Sequence, residues 1–162
     1  MPDQIEIIHG GEELLDRIEP LWERLRDHHR ARAGRFAAWF ARHTFARRRD
    51  ELRRKSLGGA LLVEIARDPA TGRDVGYCVS SLDAEGQGEI ESIFVEEAYR
   101  RRGLGDGFLH RALTWLAEKG ARDVKIVVAC GNEEALGFYA RYGFYPRTYV
   151  LRQPVDADDR SP

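Results

Sequence analysis

A single stretch, residues 89–129, most constrains how this chain can fold. Residues 89–95 are predicted as a strand, and residues 104–117 carry apolar side chains at the spacing of an amphipathic helix. Gly120 stands where glycine commonly ends a helix, and residues 124–129 form an apolar strand. A strand, helix, strand order implies a right-handed crossover between parallel strands. The sheet of this protein therefore contains at least one parallel pair.

The rest of the chain predicts an antiparallel meander flanked by helices. The elements expected before residue 89 are a strand at 4–9, helical stretches at 11–30 and 35–55, and strands at 60–66 and 75–82. Pro20 is expected to kink or divide the first helical stretch. After the crossover we expect a helix with Asn132 as its N-cap, ending at Gly143, and a final strand at 144–152.

These elements predict an α+β fold in a single domain. Its centre is a mixed, mostly antiparallel sheet of about six strands, with helices on both faces.

The composition fits one domain and excludes several function classes. The chain has 162 residues, of which 43% are hydrophobic, enough for one core with two layers. Lys+Arg total 26 and Asp+Glu 27, so a net charge of −1 gives no general attraction to nucleic acid or an anionic membrane. No stretch suits a membrane span, and no basic region precedes an apolar run, so we expect a cytoplasmic protein. Cys78 and Cys130 lack metal-binding spacing, so no metal site is expected.

The loop between the strand and the helix of the crossover is basic and rich in glycine. Residues 99–107 read Tyr-Arg-Arg-Arg-Gly-Leu-Gly-Asp-Gly. Glycine lets the main chain approach an anion closely, a helix start leaves N–H groups unpaired, and three arginines add positive charge. The loop therefore predicts a diphosphate site. A dinucleotide fingerprint would need glycine where Phe108 stands, and a Walker loop would need Gly-Lys-Ser/Thr, which is absent.

Two motifs resemble those of the GNAT superfamily of acetyl-coenzyme A-dependent N-acetyltransferases. The family pattern has Gln or Arg, two residues, Gly, one residue, then Gly or Ala, and it is matched by Arg100, Gly103 and Gly105. A later Asn, aromatic-Tyr and Gly-Phe set is matched by Asn132, Phe138-Tyr139 and Gly143-Phe144. The resemblance covers residues 60–151.

The resemblance implies one N-acetyltransferase domain over residues 1–153. Residues 4–57 would form the acceptor side, 58–153 would form the cofactor-binding core, and 154–162 would be a polar tail.

The resemblance also implies how acetyl-coenzyme A binds. Its diphosphate would lie on the N–H groups of residues 101–106, and its pantetheine arm would pair with the strand at 89–95, in a split beside the strand at 124–129. The residues so implied are Ile93, Phe94, Val95, Arg100, Arg101, Arg102, Gly103, Leu104, Gly105, Asp106, Asn132 and Tyr139. Asp106 departs from the pattern, and since a carboxylate is poorly placed beside a diphosphate, we expect it to point away.

Direct transfer to an amine needs a proton acceptor, a polarised thioester carbonyl and a proton for the departing thiolate. The resemblance implies Glu91 as the base, with Glu89 as the alternative, the N–H of Ile93 as the polariser and Tyr139 as the acid. Each side chain also has a purely structural interpretation, as a solvated strand end or a core aromatic. Two other hypotheses remain: Cys130 as an acyl-carrying nucleophile, and a noncatalytic acyl-coenzyme A-binding module.

No motif specifies the acceptor, which is expected to be a small-molecule or peptide amine. Its pocket is expected from the first two helices, the turn at 83–88 and the last strand. An aromatic stripe is interpreted as core, with an acceptor wall as the alternative; it consists of Phe36, Trp39, Phe40 and His43. The arginine-rich run at 47–55 is interpreted as a solvated helix face, with nucleic-acid binding as the alternative. Many family members have one more strand, so a partner copy could supply it in a homodimer.

Overall fold

The computed structural model describes residues 4–154. The strands are β1 Glu6–Gly10, β2 Ala60–Asp68, β3 Arg73–Leu82, β4 Gln87–Val95 and β5 Asp123–Ile126. The α-helices are α1 Glu19–Arg32, α2 Ala37–Arg42, α3 Phe45–Lys55, α4 Leu104–Glu118 and α5 Ala135–Ala140. Short 3₁₀ helices occupy Glu12–Ile18, Gly34–Phe36 and Glu97–Tyr99. The predicted polar tail lies outside the described residues from position 155 onwards, as do residues 1–3.

All five strands form one sheet in the order β1-β2-β3-β4-β5. The first four strands pair antiparallel as a meander, and β5 pairs parallel with β4. Helix α4 makes the crossover between β4 and β5. The α+β fold with a mixed, mostly antiparallel sheet is therefore confirmed. The division of tasks between residues 4–57 and 58–153 stays a prediction.

Helices cover both faces of the sheet, as predicted. One face carries α1, α3 and the first 3₁₀ helix, whose buried side chains are Leu15, Ile18, Leu21, Trp22, Phe45 and Leu52. The other face carries α4, which buries Phe108, Leu109, Ala112 and Leu116 completely. Because burial of one large apolar side chain contributes about 1.5–3 kcal/mol, these two layers hold the helices on the sheet.

Local signals set several boundaries as expected. Pro20 stands in the first turn of α1, where a backbone N–H would have no partner within the helix, so the lack of one costs no hydrogen bond. The predicted helical stretch is divided here into a 3₁₀ helix and α1. Gly120 adopts a φ of 79° just after α4, and the Ala121 N–H closes the helix on the Leu116 carbonyl at 3.0 Å. One boundary was not predicted: Thr44 divides the second helical stretch, because its Oγ1 accepts the Arg47 N–H at 3.3 Å and caps the start of α3.

Three predicted boundaries after α4 are wrong. The strand predicted at 124–129 ends at Ile126, because β5 loses its neighbour there. Asn132 is not an N-cap: its N–H is bonded to the Ala129 carbonyl at 3.0 Å in a turn, and α5 begins three residues later. No strand exists at 144–152, where the composition favours one but the described chain supplies no neighbour to complete its hydrogen bonds.

No helix within residues 4–154 combines the length and the apolar character that crossing a membrane requires.

Candidate active site

Strands β4 and β5 separate part-way along their length. Their parallel pairing runs from Gln87 opposite Asp123 to Ile90 opposite Ile126 and then stops. Residues 92–95 keep β3 on one side, but within the described chain they have no strand on the other. The predicted split is thus the outer half of this strand pair. Its open edge offers main-chain N–H and C=O groups to an extended ligand.

A cavity of about 480 Å³ lies at this split. It is bounded by the outer half of β4, the segment after β5, the three N-terminal α-helices and α5. A volume of this size suits a small ligand.

Glu91 occupies an irregularity in β4. Val79 lies opposite Ser92 while Ser80 lies opposite Ile90, so Glu91 is an extra residue in its strand. A bulge of this kind bends the strand and redirects a side chain. Both Glu89 and Glu91 line the cavity, and the Glu91 side chain is only 1% exposed.

Two cations of α3 hold these carboxylates together. Lys55 Nζ contacts Glu89 Oε2 and lies 2.6 Å from Glu91 Oε1. Arg48 Nη2 donates to Glu91 Oε2 at 2.8 Å, and Ser81 Oγ donates to Glu91 Oε1 at 2.5 Å. The structure therefore brings both candidate bases to one place, but each is already engaged.

The charges fix the protonation states of this cluster. Burial alone would raise the pKa of Glu91, but Arg48, Lys55 and Ser81 outweigh it and hold that pKa below its ordinary value. Burial would lower the pKa of Lys55, but hydrogen bonds to the two carboxylates raise it instead. Glu91 is consequently an anion and Lys55 a cation at neutral pH.

Tyr139 and Asn132 line the same cavity from the other side of the split. Burial raises the pKa of Tyr139 to about 12, so its phenol stays protonated and can donate. Phe138 packs beside the first turn of α4, where an added Cβ at Gly105 would lie 3.6 Å from its ring. Asn132, which caps no helix, has its side chain available to the cavity.

The glycine loop stands at the start of α4, as predicted. Gly103 is the N-cap with a φ of 78°, a left-handed conformation that favours glycine, and Arg101 also has a positive φ of 61°. The first helical bond runs from the Gly107 N–H to the Gly103 carbonyl. Within residues 4–154, the N–H groups of 101–106 donate no hydrogen bond. This loop therefore fits a diphosphate.

Asp106 and Arg100 are engaged by neighbours. The Asp106 carboxylate accepts from the Tyr142 hydroxyl, and its Oδ1 lies 3.1 Å from Arg141 Nη2. Its negative charge is thus compensated beside α5. Arg100 Nε donates to the Val95 carbonyl at 2.9 Å, which ties the loop to the end of β4.

The other implied contact residues take different environments. Phe94 is buried on the face that carries α1, whereas Ile93 lines the cavity. Arg102 lies over the Tyr99 ring at 5.0 Å, and Leu104 packs partly buried on the face that carries α4.

The aromatic stripe of the second helical stretch is not core, which corrects that prediction. Helix α2 has no buried side chain, and Trp39 is 52% exposed. Trp39, Phe40 and His43 line the cavity together with His29 of α1. A stripe at helical spacing marks one face of a helix, but what that face meets depends on the tertiary structure.

Other expected contributors lie elsewhere. The turn at 83–88 and the segment at 144–152 do not line the cavity, so the expected acceptor pocket is corrected on both points. Cys78 and Cys130 are both free thiols. Cys78 is buried, whereas Cys130 is exposed and does not line the cavity. No group of three or more His, Cys, Asp or Glu side chains that could hold a metal ion occurs in residues 4–154.

The description "Acetyltransferase (GNAT) family" belongs to a family model that matches residues 22–144. The chain belongs to this family. The match confirms the resemblance stated from the sequence.

Curated relatives of this GNAT protein are similar over part of their length. An uncharacterized N-acetyltransferase of Methanocaldococcus jannaschii is 31% identical over 85 residues, which is 49% of this chain and 38% of the relative. Glucosamine 6-phosphate N-acetyltransferase 1 of Oryza sativa subsp. japonica is 31% identical over 102 residues, 59% of this chain and 60% of the relative. The chain thus spans less than two thirds of each.

Solved structures share the fold over nearly the whole chain. A GCN5-related N-acetyltransferase from Ralstonia eutropha has a TM-score of 0.70 at 20% identity, covering 93% of this chain and 98% of that one. An aminoglycoside N-acetyltransferase in complex with CoA has a TM-score of 0.60 at 18% identity, covering 91% and 98%.

The sequence interpretation missed Arg48, Lys55 and Ser81. The run at 47–55 was expected to be solvated, but two of its cations point to the buried carboxylates. A signal was present: positions 45, 48, 52 and 55 share one helix face, on which Phe45 and Leu52 are buried. The cations at positions 48 and 55 lie on the same buried face and therefore need anionic partners in the interior.

Proposed function

We propose that this protein transfers the acetyl group of acetyl-coenzyme A to a primary amine in a ternary complex. The observation that carries the proposal is the open edge of β4, which has an unpaired N–H loop at one end and a buried carboxylate pair at the other. The extended arm of a thioester cofactor matches the open edge of β4, and its diphosphate matches the N–H loop. A cationic amine matches the carboxylate pair.

The residues would divide the donor side between them. The N–H groups of 101–106 and the side chains of Arg101 and Arg102 hold the diphosphate. Ile93 and Val95 pair with the amides of the arm, and Asn132 contacts it from across the split. If the arm of the cofactor paired with the Val95 carbonyl, it would displace Arg100 Nε from that carbonyl. The Arg100 guanidinium would then turn to the phosphates.

Glu91, with Glu89 as the alternative, attracts the acceptor ammonium and accepts its proton through water. Because the pKa of Glu91 is held low, the carboxylate does not retain this proton but releases it to solvent water. The amine nitrogen then forms a bond to the acetyl carbon, whose C–S bond breaks. The Ile93 N–H polarises the carbonyl, the Tyr139 hydroxyl gives its proton to the departing thiolate, and the proton lost by the newly acylated nitrogen restores the phenol.

The acceptor is proposed to be a small-molecule or peptide amine. Relatives are named for glucosamine 6-phosphate and structural neighbours for aminoglycosides, which are small amines. A binding-only function is the second candidate, favoured by the fact that Lys55 already bridges both carboxylates.

Calorimetry and a thiol assay test the proposal together. Titration of acetyl-coenzyme A into folded protein should release or absorb heat with one-to-one stoichiometry, and an amine panel should yield free coenzyme A. Absence of binding contradicts the whole proposal. Binding without turnover on any amine favours the acyl-coenzyme A sensor.

A homodimer also belongs to the proposal. The segment at 144–152, which pairs with no strand of the described chain, exposes large apolar side chains. They are Tyr145, Tyr149, Val150 and Leu151. Such a segment suits pairing with a second copy. Analytical ultracentrifugation tests this assembly, and a monomer at all concentrations contradicts it.

A further inference from the structure

The wall of the cavity opposite the donor side is a continuous row of aromatic rings. Trp22 and His43 have ring centroids 5.8 Å apart, and His43 stacks on Trp39 at 4.9 Å with an interplanar angle of 14°. Trp39 meets Phe40 edge to face at 4.9 Å, and Phe40 lies 5.6 Å from His29. All five rings line the cavity.

This wall presents uncharged surface. Burial lowers the pKa of both His29 and His43, so their imidazoles are neutral at neutral pH. Trp39 is half exposed although it belongs to the cavity. A large ring left half exposed in a cavity can pair with the ring of a ligand, because offset and edge-to-face ring pairs are favourable beyond the area they bury.

Most polar groups of the cavity already have partners. Arg48 lies 2.8 Å from Glu91 and 3.7 Å from Glu51, whose other neighbour is His43 at 3.8 Å. Lys55 joins Glu89 and Glu91. An acceptor with several charged or hydroxyl groups would have to displace several of these ion pairs, whereas a single ammonium has to displace only the contacts of Lys55 with Glu89 and Glu91.

Wall and carboxylates lie on one continuous side of the cavity. The contacts run from Trp39 through His43, Glu51 and Arg48 to Glu91. An acceptor that spans this row has a ring at one end, a linker and an amine at the other end.

We propose that the acceptor is a primary amine joined by a linker to an aromatic ring, which packs on Trp39 beside His43 while the amine reaches Glu89 and Glu91. This inference rests on the proposed acetyl transfer and adds the substrate class. Arg26 lies 5.6 Å over the Trp22 ring and also lines the cavity, so one cation stands beside the uncharged rings.

The test compares an aromatic amine with its saturated analogue and with two polar amines. With acetyl-coenzyme A saturating, release of coenzyme A is measured with 2-phenylethylamine, its saturated analogue 2-cyclohexylethylamine, spermidine and glucosamine 6-phosphate. We expect kcat/KM for 2-phenylethylamine to exceed that of the saturated analogue about tenfold. Preference for spermidine or the amino sugar phosphate overturns the inference.

Variants locate the effect. Trp39→Ala should abolish the preference for the aromatic ring, and Trp39→Phe should keep most of it. Leu57→Ala removes a side chain that is 72% exposed and outside the cavity, so it should change nothing. An unchanged preference in Trp39→Ala overturns the inference.

A binding measurement separates this inference from the proposed function. Quenching of tryptophan fluorescence by 2-phenylethylamine is measured in the coenzyme A-loaded protein and in its Trp39→Phe variant. Quenching lost with Trp39 supports the aromatic site even if no amine is acetylated. No quenching at millimolar amine, with acetyl-coenzyme A still bound, overturns the aromatic site alone, whereas failure to bind acetyl-coenzyme A contradicts the proposed function.

Discussion

The proposed donor side and the proposed acceptor side of the cavity are built from different parts of the protein. The donor side consists of main chain: the N–H groups of residues 101–106 and the free edge of β4. The acceptor side consists of side chains from α1, α2 and α3, held by ring contacts and ion pairs. Backbone sites follow from a short local motif, whereas side-chain sites require distant residues to meet. The two sides should therefore respond differently to substitution.

Gly103→Glu should have the largest effect and should act on the donor side alone. It places bulk and negative charge where the diphosphate is expected, so the affinity for acetyl-coenzyme A should fall at least about 100-fold in calorimetry. Gly120→Glu is the matched control, since Gly120 has nearly the same φ, 79° against 78°, and open space around it. Both variants share a backbone strain of about 1–2 kcal/mol. Equal binding by the two variants would show that the loop holds no phosphate.

Glu91→Gln should leave the donor side intact and slow the reaction. Loss of a proton acceptor typically lowers kcat by about 100-fold or more. The variant should also unfold at a lower temperature, because Arg48 and Lys55 lose a buried anion. Glu89→Gln is the comparison that decides between the two bases. If Glu89→Gln is the slower variant, the preferred assignment is wrong.

Tyr139→Phe should lower kcat about tenfold or more with little change in the binding of acetyl-coenzyme A. Because burial raises the pKa of Tyr139 to about 12, its hydroxyl stays protonated throughout the ordinary range of assay. The rate of the wild-type protein should therefore show no decline from phenol ionisation below pH 10. A decline there that disappears in Tyr139→Phe would contradict the assigned environment.

Lys55→Met should move the pH profile rather than remove activity. Lys55 helps to hold the pKa of Glu91 low, so its removal raises that pKa. Since the carboxylate must be ionised, the acidic limb of kcat/KM should shift to higher pH. Lys119→Met, at the end of α4, should leave the limb in place. A shift towards lower pH would contradict the ion pairing.

Cys130→Ala should have no effect on acetyl transfer. Cys130 is exposed and does not line the cavity, so it cannot carry an acyl group between the two substrates. Steady-state rates and intact-protein mass spectra after acetyl-coenzyme A treatment measure this. A lost rate or a lost acetyl adduct in the variant would restore the covalent hypothesis.

Local sequence signals predicted the first half of the sheet and α4 well. The meander, Pro20 and Gly120 rest on interactions between residues close in the chain, which the sequence displays directly. The region after Ile126 was predicted less well. The segment at 144–152 has strand-forming residues, but a strand also needs a neighbour, and the end of β5 leaves the described chain without one.

The same distinction holds within the candidate site. Gly103 and the unpaired N–H groups after it could be predicted, since a helix start and a left-handed φ are local properties. The bulge that redirects Glu91 could not, because a bulge is defined by the register of β3 against β4. Arg48 and Lys55 appeared to be part of a solvated run, and only packing on β4 turned them inward.

The sequence by itself determined the family, the crossover and the glycine loop at the start of α4, because each follows from residues close to one another in the chain. The tertiary structure decided that Glu89 and Glu91 are held as an ion-paired cluster and that Trp39, Phe40 and His43 form a cavity wall instead of core. These features depend on which helix face meets which strand. That choice follows from the packing of the whole chain and is absent from any short motif.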